Sequence, residues 1–402
     1  MSRRTTRTLI GGAAALGIGL FAALPSALPV SAASGVPTVR LSHPHVLYDL
    51  GVHSGVTRAE VLRAAAAAPT FTQYKASVKV GTKSYTYIIA GKNPAKKMAS
   101  PASVITTELV PLIVKFSNGD SWDPARKDSC DSGASALTRA QNSPVFKSQS
   151  WTWGGTKIGT GQITDAYQRA DFWKYAKPAG INPKFGINLK MTTLSPVTIH
   201  VPNADAAAAI TGCGNSRLGL VNVAWLDSLL RKTVIPSLFS RGVNPGTVPF
   251  FLLHNVVEYI GSPTTACCVG GYHQAYINSH GAQTYGLADY DNSGALGSGL
   301  RDITALSHEV GEWQNDPYID KGRNSNPTPA WGHIGQASGC QSDLEVGDPL
   351  AGTTFADTVG GFTYHPQELA FFSWFYHQKP SLGVNGWYSD QGKFTTSAAS
   401  CT

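Results

Sequence analysis

The segment from Leu300 to Asn315 restricts what this chain can fold into more than any other. Ile303, Leu306, Val310 and Trp313 recur three and four residues apart. Wound at about 100° per residue they fall in a stripe about 80° wide. The spacing predicts a helix over 300–315, stopped by Asp316-Pro317, because the residue before a proline is driven out of helical backbone. Such a stripe has to be buried, so the fold must build a core against this helix. On its roughly opposite side the same helix carries His308 and Glu312, one turn apart, with Glu309 between that pair and the stripe.

An imidazole and a carboxylate at i and i+4 can grip one metal ion, and Glu309 can then reach a water held there. The arrangement has the geometry of the His-Glu-x-x-His metallopeptidase helix, with Glu312 in place of the second histidine. Zn2+ is the expected ion. A third ligand has to come from elsewhere. Leu344-Glu345-Val346-Gly347-Asp348-Pro349 offers Glu345 and Asp348, three apart, although Asp348 could simply cap a turn. His273 is the next donor, and Tyr272 or His273 could steady an oxyanion. His333 and His365 are weaker donors. His254 and Glu258 are four apart, but their segment reads as a strand. The expected roles are therefore Glu309 as general base with His273 and Tyr272 beside it, and His308, Glu312, Glu345 and Asp348 as metal ligands.

Elsewhere the chain mixes strand and helix signals. Residues 34–56 read as an extended arm. Thr57-Arg58-Ala59-Glu60 matches a capping box ahead of an alanine-rich helix. Ser77–Val80 and Tyr85–Ile89 alternate around Gly81-Thr82, a hairpin signal. Leu109–Phe116 reads as a buried strand before the Asn118-Gly119-Asp120 turn. Thr164–Tyr175 and Ala224–Val234 read as helices, Pro196–Val201, Leu218–Val223 and Val248–Ile260 as strands. Residues 268–299 read as loops with short strands, and Gln367–Tyr376 as a late helix. No repeat and no steady βαβ rhythm is present, so the expected class is α+β: a β-rich region over 34–130 and a mixed, metallopeptidase-like part over 131–402 carrying the site helix.

Arg3, Arg4 and Arg7 precede an apolar run from Leu9 to Leu24 that ends in prolines and small residues. This is the pattern of a secretory signal over residues 1–33, with cleavage after Ala32 or Ala33. The formal net charge is +7, of which those arginines carry three. No basic block remains, so a nucleic-acid partner is not expected, nor a membrane once the signal is removed. Charged residues are 14% of the chain, which suits an exported protein with a polar, weakly charged surface. Its 6 cysteines suggest up to three disulfides. Adjacent Cys267 and Cys268 are expected to bond different partners. Without a Cys-x-x-Cys pair, a thiolate zinc site is not expected.

His308-Glu309-x-x-Glu312, Asn315-Asp316-Pro317, Trp331 and Glu345-Val346-Gly347-Asp348 resemble the pattern of plant phosphate-induced (Exordium-type) extracellular proteins. They also resemble a set of exported bacterial proteins. Gly271-Tyr272-His273 is similar too, as are Gln162, Asp165-Ala166, Gln168-Arg169-Ala170 and Phe172-Trp173 for the bacterial set. The likeness spans about 140–400 and is strongest at 305–350. The plant pattern tends to carry a cysteine just after its Glu-x-x-Asp element, where this chain has Pro349. The resemblance implies an extracellular protein with a shared site rather than a particular reaction. Three functions are open from sequence. The first is a secreted zinc-dependent hydrolase acting on an extracellular peptide or cell-wall polymer. The second is a non-catalytic extracellular or wall-associated protein with a degenerate metal site. The third is a two-carboxylate glycoside hydrolase with tryptophans such as Trp151, Trp153, Trp331, Trp374 and Trp387 as sugar platforms.

Overall fold

Ser103–Phe116 is a 14-residue strand buried on both faces from Thr107 to Leu112, as in a strand covered from two sides. It runs through the middle of a seven-stranded sheet ordered Gly271–Asn278, Gly281–Tyr290, Val248–His254, Ser103–Phe116, Ser121–Trp122, with Ile187–Thr193 and Val197–Val201 also paired to it. This is a computed structural model, describing residues 35–41, 56–68, 70–97, 102–131, 133–177, 184–210, 217–319, 326–332, 340–399 and 401. The central strands are parallel, and Gly271–Asn278 folds back antiparallel on Gly281–Tyr290. A second sheet orders Thr38–Val39, Ala206–Ile210, Arg217–Asn222, Val256–Tyr259 and Cys267–Val269. Sheets of mixed pairing with interspersed helices make this an α+β protein.

Strand alternation divides the interior into two cores. Leu109, Phe250, Leu252 and Ala288 face one core, which also takes Ile303, Leu306, Val310 and Trp313 of the helix Thr304–Asn315. Val110, Leu112, Phe251, Leu253 and Leu287 face the other, closed by Val223, Leu226, Leu230 and Val234. The site helix therefore lies on the sheet with its stripe inward, as its periodicity requires. The Trp313 indole N–H donates to Thr284 Oγ1 at 3.1 Å, and its ring lies 5.0 Å from that of Phe71. Described strands of the 34–130 region join this body: Ser103–Phe116 pairs with Val248–His254, and the Asn326 amide accepts from Ile88 N and donates to Ile88 O in the hairpin Gln73–Val80/Lys83–Ala90. Residues Gly35–Thr402 form one unit. The segment expected as the export signal lies outside the described residues.

Several local expectations hold. The Thr57 side chain accepts from Glu60 N, and Thr57 N donates to the Glu60 carboxylate at 2.7 Å, capping the helix Arg58–Ala67. The hairpin turns at residues 81 and 82. Others are corrected. Val248–Ile260 is not one strand: Asn255, with φ 53°, breaks it, and the halves enter different sheets. Residues 268–299 hold two long strands, Gly271–Asn278 and Gly281–Tyr290, rather than mainly loops. Gln274, Gln283 and Thr284 are fully buried there, so polarity did not mark exposure. The late helix shrinks to Phe372–Phe375, and Phe371, Phe372, Trp374, Phe375 and Tyr376 all lie in the core. Cys267 and Cys268 bond each other instead of separate partners. Cys340 bonds Cys401, and Cys130 is disulfide-bonded, while Cys213 lies outside the described residues.

Candidate metal centre

One helical turn brings His308 Nε2 to 3.0 Å from Glu312 Oε2. The helix is packed on its sheet so deeply that both side chains are buried, at 1% and 3% exposure. Glu309 is directed toward the neighbouring strand Gly271–Asn278. Its Oε2 lies 3.3 Å from His273 Nδ1, and its Oε1 lies 3.9 Å from His308 Nε2. The other His273 nitrogen, Nε2, lies 3.1 Å from the Asp316 carbonyl oxygen just past the helix end. A carbonyl only accepts, so Nε2–H donates to it; Nδ1, which faces carboxylates, donates to Glu309 from the protonated ring and offers its lone pair to a cation from the neutral one.

The segment 345–348 closes the centre. Its backbone N–H groups at Gly347 and Asp348 donate to Glu312 Oε1 at 2.9 and 3.1 Å. Asp348 Oδ1 stands 3.7 Å from His308 Nε2, and Glu345 Oε1 stands 3.9 Å from His273 Nε2. Two glycines make this approach possible. A Cβ on Gly347 would fall 2.5 Å from His308 Nδ1, and one on Gly271 would fall 3.0 Å from Glu309 Cγ.

His308, Glu309 and Glu312 each offer a donor atom within 4.8 Å of the others, and so do His273, Glu312 and Glu345. These buried groups could hold a metal ion. Their chemistry fits one: imidazole nitrogens and carboxylate oxygens suit Zn2+ and similar divalent ions. Without a cation, protons must do the balancing. Burial works against a charged His308, but Glu312 and Glu309 outweigh it and lift its pKa to about 10. Burial would raise Glu312, yet His308 draws it down to about 2. Burial pushes Glu309 up, and pushes Glu345 far above the usual carboxylate range. Asp316 rises to about 7 for the same reason.

Of the residues expected from sequence, His308, Glu309, Glu312, His273, Glu345 and Asp348 converge. Tyr272 does not. It precedes His273 on a strand, so it points to the opposite face, where its ring meets Tyr285 edge-on at 6.2 Å in the second core. Asp316 was read only as a helix stop, yet its carbonyl orients His273. A histidine one strand away gave no sequence cue to that bond. His365 pairs with Asp302 at 2.6 Å and His254 with Asp128 at 3.0 Å, away from this set. His333 lies outside the described residues. Trp151, Trp153, Trp331 and Trp374 are buried core residues rather than exposed sugar platforms. The remaining residues of the resemblance are scaffold: Gln162 bridges the Phe146 and Leu189 carbonyls, and Asp165 pairs with Arg169 at 2.8 Å.

Neither family models, nor curated proteins, nor solved structures match this chain. No helix among the described residues is long and apolar enough to cross a membrane.

Proposed function

We propose that this chain is an exported, metal-dependent hydrolase, peptidase-like in its site, in which His308, Glu312 and Asp348 hold a divalent cation, zinc in the first instance, and Glu309 is the general base. The observation that carries the reading is the His308 Nε2–Glu312 Oε2 approach of 3.0 Å inside a buried cluster, with a second carboxylate, Glu309, on the same helix beside it. The cation supplies Lewis acidity toward a carbonyl or water. Glu309 takes the proton of the attacking water, and burial raises its carboxyl toward the range where that transfer is efficient. His273, held by Asp316, lies beside Glu309 at 3.3 Å. Asp348, on the His308 side, is assigned as the third donor, and Glu345 lies on the His273 side. Substrates are extracellular peptides or cell-wall polymers. Bonded cysteines fit an oxidising compartment, as the export signal expected at residues 1–33 requires. The likeness to Exordium-type proteins belongs with this reading through the shared site residues.

Glu309→Gln is expected to retain bound metal and to lose peptide hydrolysis by roughly 10²–10⁴-fold. Metal analysis beside a peptidase assay checks both halves, and unchanged hydrolysis in the variant ends the reading. One observation favours a second reading, a closed structural metal site in a non-catalytic extracellular protein: every donor is at most 9% exposed, and structural sites are closed where catalytic ones keep an open position. In that case Glu309→Gln changes only stability.

A further inference from the structure

We propose that the centre holds two divalent cations with Glu312 shared between them, one bound by His308, Glu312 and Asp348, the other by His273, Glu312 and Glu345. This rests on the metal-dependent reading above. Glu312 carries the first argument. Its Oε1 is taken by the backbone N–H groups of Gly347 and Asp348, which leaves Oε2. That single oxygen lies 3.0 Å from His308 Nε2 and 3.7 Å from His273 Nδ1. An acceptor facing two imidazoles is placed to serve an ion on each side.

The second argument is the donor set on the His273 side. One atom each from His273, Glu312 and Glu345 lies within 4.8 Å of the others, a group that shares only Glu312 with the set His308, Glu309 and Glu312, beside which Asp348 Oδ1 stands 3.7 Å from His308 Nε2. Glu345 is 9% exposed, and its Oε1 has no hydrogen-bond partner among the described residues. Asp316, 1% exposed, likewise has an Oδ1 without a partner among them. Buried carboxylate oxygens without donors are rare, and a cation satisfies them.

The test is metal stoichiometry. The full chain is stripped with a chelator, loaded with Mn2+ and desalted. Bound manganese is then counted by elemental analysis and its electron paramagnetic resonance recorded. The expected result is two Mn2+ per chain with a spin-coupled spectrum. Glu345→Gln, its fold checked by circular dichroism, should fall to one Mn2+ per chain with an uncoupled signal. One ion in the unmodified chain overturns the shared-Glu312 proposal and leaves the hydrolase reading standing. No bound ion overturns both. Two ions in folded Glu345→Gln overturns the assignment of Glu345. Should that variant not fold, the count and coupling in the unmodified chain decide alone.

Discussion

His308 stands where it does because residue 347 has no side chain: the imidazole lies against the Gly347 Cα, where a Cβ would sit 2.5 Å from Nδ1. Gly347→Ala is therefore expected to displace the ring and weaken metal binding by roughly 10–100-fold, as loss of a ligand-orienting contact does. Calorimetric titration with Zn2+ measures this, and unchanged affinity would mean the ring is not needed. Gly347 also donates its N–H to Glu312, a bond that alanine retains, so the loss would report on the imidazole. At this scale the sequence spoke clearly for His308, Glu309 and Glu312, because one turn of helix fixes their separation. It was ambiguous for Tyr272 and His273. Adjacent strand residues point to opposite faces, and only the packing of the sheet decides which of them meets the helix.

Among the elements, the helix Thr304–Asn315 was legible from its period and its Asp-Pro stop, though it starts four residues later than the expected 300, and of the strand Ser103–Phe116 only the apolar half Leu109–Phe116 was legible. The central strand nevertheless buries an acid. Glu108 is 3% exposed, its Oε2 has no hydrogen-bond partner among the described residues, and burial lifts its pKa to about 7. A raised carboxyl stabilises the fold fully at pH values below its ordinary pKa of 4.5, and that contribution is lost as pH rises through about 7. Glu108→Gln should accordingly match the parent in thermal stability near pH 4 and exceed it near pH 8. Parallel melting curves at all pH values would refute this. The strands 271–278 and 281–290 were missed because burial on both faces removes the alternation that marks a half-exposed strand, and buried Gln274 and Gln283 read as loop polarity. The break at Asn255 had no strong signal either, since asparagine tolerates a left-handed backbone without announcing it.

For the molecule as a whole, the Cys340–Cys401 bond ties the strand Cys340–Asp343, just before the site segment 345–348, to the chain's end across a sequence separation of 61. Loop-closure entropy for such a span is about 4 kcal/mol, an upper value if the reduced chain retains structure. A Cys340→Ala/Cys401→Ala variant should melt at a lower temperature by an amount of that order. A calorimetric melt unchanged from the parent would contradict it. Sequence by itself determined the α+β class, the capped helix, the first hairpin and the one-turn spacing of imidazole and carboxylate, because each follows from local backbone geometry. The tertiary structure alone decided that His273 and the 345–348 segment reach that helix, that Tyr272 turns away, and that Cys267 and Cys268 join each other. Those outcomes depend on which surfaces are buried together, and contacts between residues tens of positions apart leave no period in the chain to read.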